Sequence, residues 1–212
     1  MTCSQCQGIE QEFNRKHALE QLKKYRKKGV ADTTRQLIAA LMEGGVDGMT
    51  LLDIGGGVGA IQYALLKAGV SQAVDVDASP AYLEVARQEA QRHGFADRIS
   101  FYQGNFVDLA PILPPADIVT LDRVICCYDD MQALVSLSAR RARRLYGLVY
   151  PRDTWWVKLL LPMMNFYLRL RRSSFRAFAH PTQAVDAVVR GQGLNQRFYR
   201  KMGFWQVVVY AS

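Results

Sequence analysis

Between residues 49 and 150, short apolar segments alternate with segments whose apolar residues recur at helical spacing. Strands are predicted at 49–54, 72–76, 99–102, 118–121 and 145–150, and helices at 60–67, 80–92 and 130–143. A strand that is followed by a helix and then by another strand favours parallel pairing, because the helix carries the chain back across the sheet. This order predicts a parallel sheet with helices on both faces.

The two ends of the chain fall outside this alternation. A helix is predicted over 13–28, where Gly29 ends it, and Asp32 or Thr33 can cap a second one. An apolar and basic segment at about 154–178 is interrupted by Pro162. The strands predicted at 195–201 and 205–211 are close enough to form an antiparallel hairpin. We therefore expect an N-terminal helical cap (1–45) and a main domain (46–212) that contains the apolar and basic insert.

Composition limits the class of protein. The chain has 212 residues, of which 50% are hydrophobic and 22% charged, so it can bury a core as a single domain. The formal net charge of +8 favours anionic partners. Four cysteines in no secretory spacing, and an N-terminus without a signal-peptide pattern, predict a reduced, cytoplasmic protein.

Glycines follow the first predicted strand, in the run Asp53-Ile54-Gly55-Gly56-Gly57-Val58-Gly59-Ala60. A glycine loop between a strand and a helix allows a ligand to approach the backbone closely, and this one also fits a dinucleotide fingerprint. Two acids favour another ligand. Asp53 would repel a pyrophosphate but suits a cationic cofactor, and Asp77, which ends the second strand, can accept both hydroxyls of a ribose.

These residues resemble the class I S-adenosylmethionine-dependent methyltransferases. The resemblance implies a doubly wound, Rossmann-like α/β fold with a seven-stranded, mainly parallel sheet and an antiparallel C-terminal hairpin. It also implies S-adenosylmethionine as the cofactor. The cofactor-binding residues that it implies are Asp53, Gly55, Gly57, Gly59, Asp77, Ala78, Asn105, Phe106, Asp122 and, from a lid helix, Tyr25. Asn105 stands where the family often has an acid for the adenine amino group, and its amide oxygen can accept the same hydrogen bond.

Two residues are candidates for catalysis. Tyr128 follows the fourth strand near the expected methyl position and could orient an oxygen or nitrogen nucleophile, although a packing role is equally compatible with the sequence. His180 could act as a base, and the alternative interpretation is a structural role in its loop. Cys127 is read as a packed residue. Cys3 and Cys6 lack a second ligand pair, so we expect no metal.

The acceptor is predicted less sharply than the cofactor. The aromatic and methionine-rich run at 155–168 indicates a small, lipophilic or aromatic acceptor, methylated at O, N or S, or else an ordinary core helix or an interfacial helix at a membrane. The segment 122–128 and the helical N-terminus resemble the magnesium-protoporphyrin O-methyltransferases. The alternatives are an RNA or protein methyltransferase that uses the basic surface, and a non-catalytic binding protein. Nucleic acid is the less favoured partner, because the basic residues come in separate blocks.

Overall fold

A computed structural model describes residues 4–171 and 173–212 of the chain. Its core is one seven-stranded sheet in the order β3-β2-β1-β4-β5-β7-β6. The strands are β1 (Thr50–Ile54), β2 (Gln72–Asp77), β3 (Ile99–Gln103), β4 (Ala116–Asp122), β5 (Ala142–Pro151), β6 (Asn195–Met202) and β7 (Trp205–Ala211). Pairings among β1 to β5 are parallel, and β7 runs antiparallel to β5 and β6. The predicted fold class is confirmed.

Helices cover both faces of the sheet. They are α1 (Ser4–Glu12), α2 (Arg15–Lys28), α3 (Asp32–Met42), α4 (Ala60–Lys67), α5 (Pro80–His93), α6 (Phe106–Leu109), α7 (Met131–Ala139), α8 (Trp155–Leu170) and α9 (Thr182–Arg190). Leu51 and Leu52, adjacent on β1, belong to two different core clusters. This alternation follows from the two-residue period of a strand and places one core on each side of the sheet.

Local sequence explains where the helices beside the site begin. Ser79 caps α5 by accepting a hydrogen bond from Tyr82 N, and Pro80 occupies the first turn, where its missing N–H costs nothing. Asn14 caps α2 by accepting from His17 N. The helix predicted over 13–28 therefore begins two residues late, at Arg15, and Gly29 ends it as expected.

Two further boundaries differ from prediction. Pro162 does not interrupt the insert, because α8 continues through it. The N–H that proline lacks would have bonded the Lys158 carbonyl, and Lys158 and Pro162 are both exposed, so water can satisfy that carbonyl. The helix predicted over 130–143 ends at Ala139, since β5 already begins at Ala142 and pairs there with Ala116.

Candidate functional site

The glycine loop leaves the carboxyl end of β1 at the centre of the sheet. Gly55, Gly57 and Gly59 have φ angles of 67°, 59° and 81°, values that side-chain-bearing residues rarely adopt. A Cβ on Gly55 would lie 2.5 Å from Val124 Cγ2, and one on Gly59 would collide with the Tyr63 hydroxyl. At Gly57 the nearest atoms would be those of the Tyr82 ring at 3.8 Å, so this part of the loop is open.

Asp77 ends β2 directly opposite this loop. Its Oδ1 accepts a hydrogen bond from Ser79 N (2.8 Å), and its Oδ2 accepts one from Gly57 N (3.3 Å). Burial raises the pKa of Asp77 to about 6, against the lowering effect of the backbone N–H groups. Each oxygen of an ionised carboxylate can accept a second hydrogen bond, so Asp77 can still receive two hydroxyl donors.

Two other acids lie beneath the loop. Asp53 is buried, with Oδ1 accepting from Thr120 Oγ1 (2.6 Å) and Oδ2 from Gln62 Nε2 (3.1 Å). Burial raises the pKa of Asp53 to about 7. Asp75 is its register partner on β2, and burial, followed by repulsion from Asp53 and Asp77, raises the Asp75 pKa well above its usual range. Both carboxylate oxygens of Asp53 are thus bonded to side chains of the protein, and Asp53 supports the glycine loop from beneath.

The carboxyl end of β4 brings in two residues that sequence reasoning missed. Thr34 of α3 donates from Oγ1 to Asp122 Oδ2 (2.5 Å), and Arg123 donates from Nε to Asp122 Oδ1 (3.0 Å). Among the residues described, Arg123 is the one non-glycine with a left-handed φ, at 63°. The Thr34 contact has no local sequence signal, because Thr34 reaches Asp122 across 88 positions. Arg123 is next to Asp122 in the sequence, but its left-handed backbone is not indicated there.

Asn105, predicted to bind the adenine, and Tyr128, predicted to orient the nucleophile, are hydrogen-bonded to each other. Tyr128 Oη donates to Asn105 Oδ1 at 3.1 Å, and the same oxygen caps α6 by accepting from Val107 N at 3.3 Å. The Asn105 amide also donates to Asp108 Oδ2 (3.1 Å). Phe106 is buried behind this group. The spacing of Asn105 and Tyr128 in sequence gave no indication of this bond.

A cavity of about 680 Å³ connects these groups. Nearly all of the predicted site residues line it: Tyr25, Asp53, Gly55, Gly57, Asp77, Ala78, Asn105, Phe106, Asp122 and Tyr128. Gly59 and His180 are not among the lining residues. Gly59 caps α4. His180 Nε2 donates to the backbone carbonyl of Tyr128 at 2.8 Å, which anchors the loop that carries that tyrosine.

One part of the cavity wall is apolar and comes from distant parts of the chain. It consists of Ile9, Phe13, Leu161, Met164, Phe175, Ala177, Phe204 and Trp205. Phe13 reaches the cofactor side, since its carbonyl accepts from Ser79 Oγ and its ring packs against Tyr82, the neighbour of Gly57. Phe13 and Phe175 meet edge to face, with ring centroids 5.5 Å apart. The aromatic residues of the insert were predicted to contact the acceptor. Phe13 and the hairpin turn were not predicted to line the cavity, because neither has a sequence pattern that indicates it.

The cysteines beside the site are packed together. Cys126 and Cys127 lie with their sulfurs 3.8 Å apart, and both thiols approach the Arg123 carbonyl. The hydrogen bond with Cys127, followed by burial, raises the pKa of Cys126, which keeps it a thiol. Within 4–171 and 173–212, no group of side chains could hold a metal ion. The side chains of Cys3 and Cys6 lie outside the described residues.

Comparison with known proteins supports the interpretation of the fold as that of a methyltransferase domain. Residues 46–148 match a family model described as a methyltransferase domain. The structure of magnesium protoporphyrin IX methyltransferase from Synechocystis PCC 6803 with bound SAM has a TM-score of 0.73, covers 99% of this chain and 98% of that one, and is 16% identical. Human N-acetylserotonin methyltransferase in complex with SAM has a TM-score of 0.65, covers 96% and 57%, and is 16% identical.

The curated relatives match a shorter region. Ribosomal protein L11 methyltransferase from Enterobacter sp. (strain 638) is 30% identical over 92 residues, which are 43% of this chain. This chain spans 30% of the length of that enzyme.

Residues 46–148 thus match a methyltransferase domain, and the sheet around them has the fold of the solved methyltransferases, as the sequence predicted. The donor set at the glycine turn fits S-adenosylmethionine, since Asp77 retains acceptor capacity for two ribose hydroxyls and Gly57 leaves the loop open beside it.

Proposed function

We propose that the protein transfers a methyl group from S-adenosylmethionine to a small, lipophilic or aromatic acceptor at O, N or S. The observation that carries the proposal is the continuity of the cavity. One space of about 680 Å³ extends from Asp77 and the glycine loop to Leu161, Ala177 and Phe204. Pockets for small molecules have this size and this combination of a few polar groups with apolar walls.

The chain's own residues would act mainly by positioning. The bound cofactor supplies an activated, electrophilic methyl group, so the protein need not build one. Asp77 would hold the ribose and the glycine turn the rest of the cofactor. The Asn105 oxygen already accepts from Tyr128 and Val107, so Asn105 would meet the adenine edge with the amide N–H that does not bond Asp108. Tyr128, whose hydroxyl is fixed on Asn105, would orient the nucleophile. Holding two reactants in line in this way contributes about 7–11 kcal/mol in favourable systems.

The N-terminal helices would serve as a cap. In this proposal residues 1–45 close over the cofactor, with Tyr25 as the lid residue, and residues 154–178 shape the acceptor pocket. Tyr25 lines the cavity, and burial raises its pKa, so its hydroxyl stays neutral. Arg26 of the same helix pairs with the fully buried Glu89 of α5 (2.5 Å), which ties the cap to the main domain.

A narrower candidate acceptor is a flat, apolar carboxylic acid such as magnesium protoporphyrin. Lys24 and Arg123 line the cavity and would favour an anionic group, while the apolar wall would receive the ring. The Synechocystis structure supports this candidate, because it is a magnesium protoporphyrin IX methyltransferase whose fold covers 99% of this chain. A cytoplasmic location remains a prediction of the sequence.

Calorimetry and an acceptor screen would test the proposal. We expect S-adenosylhomocysteine to bind and NAD not to bind. With S-adenosylmethionine, a small-molecule library that includes magnesium protoporphyrin IX should yield a product heavier by one methyl group. Methylation found only in cellular protein or RNA, and lost with added salt, would support the macromolecular alternative instead. Cofactor binding with no methylated product in any fraction would support a non-catalytic binding protein.

A further inference from the structure

Helix α8 is attached to the rest of the protein along one narrow stripe. Val157 and Leu161 are buried, and they pack with Ala177 and Phe175. Asn165 fixes the following segment, because its amide donates to the Ala177 carbonyl (2.8 Å) and accepts from Ala177 N (2.9 Å). This side of α8 is therefore fully engaged with the protein.

The remaining surface of α8 is apolar and exposed to solvent. Apart from Met164 (38%), which lines the cavity, the exposed apolar side chains, with their exposed fractions, are Trp155 (79%), Leu159 (61%), Leu160 (46%), Met163 (63%), Phe166 (63%), Tyr167 (56%) and Leu170 (67%). At about 100° per residue, they occupy one sector of roughly 140°, facing away from Val157 and Leu161. Trp156, in the first turn, is the exception within this sector, because it packs on Phe204. Soluble proteins seldom leave so many large apolar side chains together in water, so this stripe indicates a binding surface.

Basic residues border the apolar stripe on both sides. By the same helical geometry, Lys158 and Arg169 lie along one edge and Arg171 lies at the other. All three are exposed. The sequence has no Asp or Glu between Asp153 and Asp186, although it has five Lys or Arg there. The whole segment is thus positively charged around an apolar centre.

We propose that this stripe of α8 lies flat on an anionic lipid surface. An interfacial helix buries its apolar side among acyl chains, while long basic side chains at the edges reach the headgroups. No helix in the described part of the chain is long and apolar enough to cross a membrane. A second copy of the protein would fit this surface poorly, since stacking two stripes would bring the basic borders of both copies together.

The opposite side of the same helix reaches the methyltransferase cavity. Leu161 and Met164 of α8 line that cavity. A membrane-bound α8 would therefore separate the lipid from the acceptor site by the thickness of one helix, which suits an acceptor dissolved in lipid. Lipid binding by the stripe does not depend on the proposed function, because it needs neither cofactor nor acceptor.

Vesicle co-sedimentation tests the proposal on the full-length chain. We expect binding to vesicles of phosphatidylcholine with phosphatidylglycerol, and much weaker binding to phosphatidylcholine alone. The triple variant Leu159→Gln/Met163→Gln/Phe166→Gln should no longer sediment with vesicles, since each apolar side chain contributes about tenfold. Glutamine preserves helix propensity. The matched control, Leu19→Gln/Met42→Gln/Ile112→Gln, changes exposed apolar residues on other elements and should bind as the wild type does.

Charge variants test the choice of lipid. Arg169→Gln/Arg171→Gln should weaken binding to anionic vesicles by about 25-fold, or about fivefold per charge. The matched control, Arg143→Gln/Arg144→Gln, changes the start of β5, the end farther along the chain from α8, and should leave vesicle binding unchanged. Equal binding of the triple variant and the wild type would overturn the proposal. So would a wild-type dimer that the triple variant makes monomeric, with no vesicle binding by either, because a second copy would then cover the stripe.

Discussion

The two ends of the cavity are built in different ways. At the cofactor end, Asp77 and the glycine loop are hydrogen-bonded to each other on adjacent parallel strands, so the sheet fixes their geometry. At the acceptor end, Leu161, Ala177 and Phe204 come from separate segments outside the sheet and meet through apolar contact. The cofactor end thus depends on directional bonds, whereas the acceptor end depends on shape and can change without disturbing the sheet.

The largest effect is expected from a substitution that disrupts cofactor binding alone. Asp77→Asn keeps the size of the side chain but removes its charge and one acceptor oxygen. Because hydrogen bonds to a charged group contribute about 1.5–3 kcal/mol each, the dissociation constant for S-adenosylhomocysteine should rise by about a hundredfold. Isothermal titration calorimetry measures this change directly.

A matched control separates ribose binding from general loss of charge. Asp97→Asn alters an exposed acid away from the cavity and should leave the affinity for S-adenosylhomocysteine unchanged. If Asp77→Asn changed that affinity by less than about threefold, Asp77 would not be the ribose acceptor. A matching thermal unfolding curve for both variants would show that the loop between Gly55 and Gly59 still folds.

A smaller effect is expected at the acceptor end. Phe175→Ala removes part of the apolar wall, so KM for the acceptor should rise by about tenfold while cofactor affinity stays within about twofold. Steady-state kinetics with the acceptor found in the screen measures both. Phe166→Ala makes the same change on the exposed side of α8, outside the cavity, and should leave KM unchanged in the absence of lipid. Equal changes in KM and in cofactor affinity would contradict the division of the cavity into two ends.

The fold was largely predictable from the sequence because its signals are local. The alternation of 49–150, the glycine run and the hairpin each depend on residues close together in the chain. The errors came where the surroundings of a residue override its local preference. Pro162 was expected to interrupt a helix, but Lys158, whose carbonyl it leaves unbonded, is exposed to solvent, and α8 continues.

The site was predictable only in part, for the same reason. The acid at position 77 could be predicted because it stands at a strand end at a fixed distance from the glycine loop. The contacts of Thr34 with Asp122, and of Tyr128 with Asn105, join residues far apart in sequence. The left-handed backbone of Arg123 also has no sequence signal, since its identity does not favour that conformation.

The smallest expected effect concerns the buried acid below the cofactor end, which has no counterpart at the apolar end. The folded-state pKa of Asp75 is raised, so its contribution to stability is fully present below the unfolded value of 3.8 and is lost as pH rises towards the folded pKa.

Asp75→Asn removes this loss. The free energy of unfolding should therefore exceed that of the wild type at pH 8, with a smaller difference at pH 5. Urea denaturation at the two pH values measures it, with Asp97→Asn as the exposed control. A variant less stable than the wild type at pH 8 would contradict this prediction. It would mean that the fold stabilises the ionised form of Asp75, so that burying this acid does not lower the free energy of unfolding.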